Sequence, residues 1–153
     1  MDALVAQAMT KWPNVPAVYG WLSLDRRGNW RIKGERIANQ ALRDFISRNY
    51  ESDAAGGWYF QNGPQRVYVA LDYTPLVVHY DGDELRDHCG RPFAVRAAYL
   101  DDEGSVLMES ENAIALLDDR DLARFADSAA SLQRIKADEI QARFRFVKEP
   151  KPC

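Results

Sequence analysis

The stretch WYFQNGPQRVYVALDYTPLVVHYD, residues 58 to 81, limits the possible folds more than any other part of the chain. Val67, Val69, Leu71 and Tyr73 alternate with Tyr68, Ala70 and Asp72, the two-residue period of an extended strand with opposite faces. Asn62, Gly63 and Pro64 punctuate a first pair of strands, and Thr74 and Pro75 separate the next two. Links this short favour antiparallel pairing, because a parallel crossover needs roughly a dozen residues or more.

The rest of the chain adds to this sheet. VYGWLSL and NWRIK flank DRRG, where Asp25 can accept backbone N–H bonds and Gly28 can take the positive φ that closes a bulged turn. AAYL, DDEG and SVLM repeat the arrangement with Asp101 and Gly104, which fits internal repetition and ordinary turn preference equally well. Further strands are expected at 93–100, 105–109 and 113–117. Between residues 34 and 50 the period changes, and Ile37, Ala41, Leu42, Phe45 and Ile46 share one helical face. Leu4, Val5, Ala8 and Met9 suit a short N-terminal helix. Asp118 or Asp119 is placed to cap a helix running through Leu122, Phe125, Ala126 and Ala129. Ile140, Ala142, Phe144 and Phe146 alternate with Gln141, Arg143 and Arg145, which predicts a last strand, with a helix over this 137–147 segment as the competing reading. Consecutive strands with few helices predict an α+β fold, a twisted and mainly antiparallel sheet packed by two or three helices.

The 153 residues, 46% hydrophobic and 28% charged, match one domain, with residues 149–153 as a tail. No apolar run is long enough for a spanning helix, and the N-terminus lacks the basic and apolar regions of a secretory signal. Cys89 and Cys153 make no disulfide framework, so the expectation is a cytoplasmic protein with reduced thiols. Net charge is −3, yet residues 1–50 carry 8 basic and 4 acidic groups while residues 51–153 carry 12 and 19. The basic cluster Arg26, Arg27, Arg31, Lys33 and Arg36, beside Trp21 and Trp30, offers cations and stacking platforms to nucleic acid, but the acidic overall balance argues against that partner.

HYDGDELRDHCG, residues 79–90, is the one segment that gathers metal-ligating types: His79, Asp83, His88 and Cys89. Its spacing matches neither paired CxxC motifs, HExxH nor a calcium loop. The plainer reading is a strand ending near Tyr80, a turn at Asp81 to Asp83, a brief helical turn, and a chain reversal at Cys89-Gly90. A Cys89 nucleophile would need His79 as its base, and no oxyanion donor or orienting carboxylate is identifiable. GxSxG, GxxxxGK[ST] and GxGxxG are all missing, so neither a catalytic residue nor a cofactor is expected.

Aromatic residues concentrate in the first half, and alternation gives both faces of the first hairpin something apolar to cover. Either the protein's own helices cover them or a partner does, and an exposed strip would bind a protein, a small ligand or a second copy as a homodimer. VYGWLSLDRRGNWRIKGE, FISRNYES, GWYFQNGPQRVYVALDYTP and IALLDDRDL resemble segments of a small proteobacterial family known only as a domain of unknown function, over residues 12 to 125. That resemblance implies a compact bacterial cytoplasmic protein and carries over no activity and no catalytic residue. The expectation is a noncatalytic binding or accessory module using Trp21, Trp30, Trp58, Tyr59 and Tyr68, with a metal site or enzyme centred on residues 79–89 as its rival.

Overall fold

The computed structural model describes residues 13–125 and 132–152. The expected N-terminal helix, Trp12, the 126–129 part of the helix after Asp119, and Cys153 lie outside the described residues.

The chain divides into two compact units. The first comprises, of the described residues, 13–25, 29–72 and 147–152, and the second 26–28 and 73–146. In the first, strands β1 (Ala17–Leu24), β2 (Trp30–Ile32), β3 (Glu35–Arg36), β4 (Tyr50–Ser52), β5 (Trp58–Asn62) and β6 (Gln65–Leu71) form a sheet in the order β3-β2-β1-β6-β5-β4. Helix α1 (Gln40–Arg48) intervenes between β3 and β4. Asn39 caps it, its Oδ1 accepting the Leu42 N–H at 3.0 Å. Leu42 and Ile46, one turn apart, are its buried residues, and Phe45 meets Phe60 of β5 edge to face at 5.5 Å between ring centres. The core here is Val18, Leu22, Leu24, Trp30, Tyr50, Phe60, Val67 and Val69.

In the second unit, β7 (Leu76–Asp81), β8 (Glu84–Asp87), β9 (Ala97–Leu100), β10 (Val106–Glu109), β11 (Ile114–Leu117) and β12 (Gln133–Arg134) take the order β12-β9-β10-β11-β7-β8. Every residue of β11 and three of the four in β10 are buried, so these strands are apolar on both faces. The 3-10 segment Asp119–Phe125 follows β11, and a 3-10 turn at Ala137–Glu139 runs into the short helix α2 (Ile140–Phe144).

The two sheets share one strand plan. In each, an opening hairpin (β1–β2, β7–β8) is joined by parallel pairing to the last strand of an antiparallel three-strand meander (β4–β5–β6, β9–β10–β11). Repetition is therefore present, but not between the two LDxxG turns that suggested it. Asp25 to Gly28 closes an opening hairpin, whereas Asp101 to Gly104 lies in a meander. The Asp-x-x-Gly turn is instead a shared device, used also at Asp53 and Asp87. Oδ1 of Asp53, Asp87 and Asp101 each accepts the backbone N–H two and four residues on, at 2.8–3.0 Å. The glycine at the fourth position has positive φ, as at Gly104 (+84°), where any other residue would be strained.

The α+β class and the predominance of antiparallel pairs hold, with several corrections of detail. There are two six-stranded mixed sheets, not one. β6 and β7, separated by Thr74 and Pro75, do not pair: β6 is already flanked by β1 and β5, and β7 by β11 and β8. The expected helix from residue 34 begins only at Gln40, because Lys33 and Gly34, both at positive φ, form a two-residue turn that pairs Ile32 with Glu35. Residues 84–87 form the strand β8, not a helical turn. The strand predicted at 140–146 is helical: Ala142 is exposed, so its place in the apolar alternation was incidental, and Arg145 ends the helix in a left-handed conformation.

Candidate functional site

The five aromatic residues expected to form one surface occupy three environments. Trp30 is 2% exposed, packs edge to face on Tyr50, and donates its Nε1–H to Ser47 Oγ on α1 at 3.0 Å. Trp58 also packs on Tyr50, tilted at 41° with ring centres 4.9 Å apart. Both belong to the packing around the buried Tyr50.

Tyr59 and Tyr68 pair across β5 and β6, and Tyr68 stacks flat on Tyr19 with centres 4.9 Å apart. This cluster is closed by its own hydrogen bonds. Tyr59 donates to Glu51 Oε1 at 2.5 Å, Tyr68 to Asp53 Oδ2 at 2.8 Å, and the Arg66 guanidinium covers the Tyr59 ring at 4.3 Å. The hydrogen bond to Glu51, then burial, pushes the Tyr59 hydroxyl above its ordinary range, and burial followed by the Asp53 bond does the same to Tyr68. Burial by itself would raise the Asp53 carboxyl. The bonds from Tyr68, Gly57 and Ala55 outweigh it and hold the carboxyl below its usual value. With Tyr59 at 3% and Tyr68 at 9% exposure, these rings brace the sheet and the 53–56 turn and present little surface to a ligand.

Trp21 differs. It is half-buried and lines a cleft of about 490 Å³ with Ile32, Lys33, Arg36, Ile37 and Leu42. The Lys33 ammonium sits 4.1 Å from the centre of the Trp21 ring. Lys33 carries a φ of +51°, so a lysine occupies a turn position that favours glycine or asparagine. Asn39 and the start of α1 complete the wall. The reading of residues 34–50 as one helix hid this cleft. The signal that could have revealed it is the Lys-Gly pair between Ile32 and Glu35, a two-residue hairpin connection.

The basic cluster of the first hairpin is divided among acidic partners. Arg26 meets Glu103 at 3.5 Å, Arg27 meets Asp119 at 3.2 Å, and Arg31 Nε reaches Asp25 Oδ2 at 2.9 Å. These carboxylates leave less positive charge for a phosphate backbone than the sequence suggests.

The histidine segment does not converge. His79 lies opposite Arg86 in the β7–β8 hairpin, and Asp83 sits in its two-residue turn. His88 Nδ1 accepts the Val77 N–H at 3.2 Å, and the Cys89 N–H is held by Asp87 Oδ1 at 2.9 Å. Among the described residues no three His, Cys, Asp or Glu side chains are grouped to hold a metal ion. Nor is any helix among them long and apolar enough to cross a membrane.

Fold and site together define an α+β protein built on two mixed sheets, with an aromatic cleft. A family model described as "Protein of unknown function (DUF2946)" matches residues 1–151, and the chain belongs to that family. Its description assigns no activity. Two crystal structures share the fold. A DUF1285 family protein from Silicibacter pomeroyi DSS-3 has a TM-score of 0.55 and 17% identity, over 83% of this chain and 84% of that one. Another from Shewanella baltica OS155 has a TM-score of 0.53 and 14% identity, over 69% and 90%. No curated protein matches.

Proposed function

We propose that this protein is a noncatalytic binding module whose Trp21 cleft takes a small ligand with an apolar or aromatic body and an anionic group. The observation that carries this reading is Lys33, held in a disfavoured backbone conformation with its ammonium over an accessible tryptophan face. A lysine in the left-handed region costs about 1–2 kcal/mol, and the Lys33–Trp21 contact by itself returns about 0.5–1 kcal/mol. The pair alone therefore does not offset the cost, whereas an anion paired with the same ammonium would. The apolar wall of Ile32, Ile37 and Leu42 suits the body of the ligand, and Lys33 and Arg36, which outnumber the one acidic residue of the wall, Glu35, suit its charge. Two cysteines without a disulfide pattern support a bacterial cytoplasmic setting.

The test is a thermal-shift series with aromatic and medium-chain alkyl carboxylates. A ligand at about one hundred times its Kd should raise the Tm by roughly 5–10 °C. Trp21→Ala should abolish the shift and Lys33→Asn should reduce it while leaving the unliganded Tm equal or higher. If no member of the series shifts the wild type, or the shift survives Trp21→Ala, the assignment fails.

A further inference from the structure

The described residues contain two non-glycine positions with positive φ, and the second is Arg145 at +57°. Like Lys33 it is cationic and lines a cleft. This cleft, of about 470 Å³, lies in the second unit and includes Arg96, Arg143 and Arg145 with Ser110, Glu111 and Asn112. From this geometry we infer a phosphate-binding site that takes the phosphoryl group of a small phosphomonoester.

The frame of the site is already held. Tyr99 donates to Glu109 Oε1 at 2.7 Å, and Arg96 reaches Glu109 Oε2 at 3.6 Å, so Glu109 is committed to the framework. The Arg143 guanidinium lies 4.9 Å from the centre of the Tyr99 ring and 5.4 Å from that of Phe144, with its NH2 3.4 Å from the Tyr99 hydroxyl. The two rings lie beside the guanidinium, and its charge has no carboxylate partner among the described residues. Arg145 likewise has no ion pair or hydrogen-bonded side-chain partner among them. The 110–113 turn is pinned by Ser110 N–H to Ala113 O at 2.8 Å and Ala113 N–H to Ser110 Oγ at 3.2 Å, which brings Asn112 to the rim. The guanidiniums of Arg143 and Arg145, with the Asn112 amide and the Arg96 donors not taken up by Glu109, give more donors than a two-oxygen carboxylate uses. They suit a tetrahedral dianion.

Arg145 supplies the second line of argument. It stands where α2 ends, and its backbone N–H bonds Gln141 O, a capping position that glycine fills without strain. A cation is favoured near a helix C-terminus, but α2 has only five residues and a small dipole to complement. A side chain kept there against backbone preference is best explained by what it contacts beyond the helix, as strained residues at binding sites are. Glu111 is the one opposing charge on the cleft wall not engaged by an arginine. It should weaken the binding of a dianion.

Calorimetric titration of the full chain with phenyl phosphate, in a buffer free of phosphate, tests this site independently of the Trp21 cleft. The wild type should bind stoichiometrically, with benzoate much weaker. Arg145→Gly should lose roughly 10- to 100-fold in affinity while keeping or raising the Tm, because it removes the donor and relieves the backbone together. Glu111→Gln should tighten binding several-fold, and Trp21→Ala should leave it unchanged. Equal binding by Arg145→Gly, equal affinity for benzoate, a lowered Tm in Arg145→Gly, or no heat up to about 10 mM ligand would each overturn the assignment.

Discussion

Tyr73→Phe isolates a single buried hydroxyl in the second unit. Tyr73 donates to Asp101 Oδ2 at 2.7 Å, and Asp101 is 3% exposed. The other oxygen of that carboxylate holds the 101–104 turn through the N–H groups of Glu103 and Ser105, at 2.9 and 2.8 Å. The Arg26 guanidinium lies 4.5 Å from the centre of the Tyr73 ring, a contact that phenylalanine preserves, so the substitution removes only the O–H. A hydrogen bond to a charged group contributes about 1.5–3 kcal/mol, and here the acceptor left behind has little access to water. A loss of about 2 kcal/mol is expected, lowering the Tm by roughly 4–8 °C for a chain of this size. Urea unfolding, followed by circular dichroism with linear extrapolation, measures it as a lowered midpoint with an unchanged slope. The equivalent bond in the first unit, Tyr68 to Asp53, braces a more exposed turn, so Tyr68→Phe should cost less, about 1 kcal/mol. A Tyr73→Phe variant within about 0.5 kcal/mol of wild type, or less affected than Tyr68→Phe, would refute the burial argument.

Two more outcomes follow from described geometry. Gly28→Ala should destabilise by about 2 kcal/mol or more in the same urea assay, since the added Cβ would lie 2.7 Å from His88 Cβ on a backbone at φ +82°. The hydroxyls of Tyr59, Tyr68, Tyr73 and Tyr99 are all pushed above their ordinary range. The Glu51 bond leads at Tyr59, and burial leads at the other three. The unfolded chain releases these protons near pH 10 and the folded chain holds them, so the stability they contribute is full below about pH 10 and declines above it. Absorbance at about 295 nm should therefore show a late group of tyrosines ionising together with unfolding, and independent early titration of all the tyrosines would contradict this.

Local periodicity carried the strands well, because alternation and turn chemistry are written in neighbouring residues. The β5, β6 and β7 segments, the Leu42 and Ile46 face of α1, and the turns at Asp25 and Asp101 were all legible in this way. Pairing was not. The parallel partners β1 with β6 and β7 with β11 are set by contacts between distant segments, and no local signal separates a strand flanked by neighbours in its own unit from one that continues a hairpin. The 140–146 segment failed for a related reason: five or six residues with alternating apolar character fit a strand or a helical turn and a half, and Ala142, which a strand would bury with Ile140, is exposed. The candidate site was half visible. Trp21, Lys33 and Arg36 stood out as types, but the cleft they line depends on the turn at Lys33, and the arginine cleft needs Arg96, just before β9, and Arg143 of α2 to line one wall, though 47 residues separate them in sequence.

The first unit is also completed out of order. Leu71 N–H bonds Lys148 O at 2.7 Å, Val147 N–H bonds Gly56 O at 2.9 Å, and Gly57 bridges Val147, so a segment made after the whole second unit seals a sheet whose strands were translated first. On the ribosome, β1 to β6 can assemble early, yet the edge near Gly57 and the end of β6 stay open until that distant piece emerges. The backbone of residues 147 and 148 therefore closes the first unit only after every strand of the second has been made.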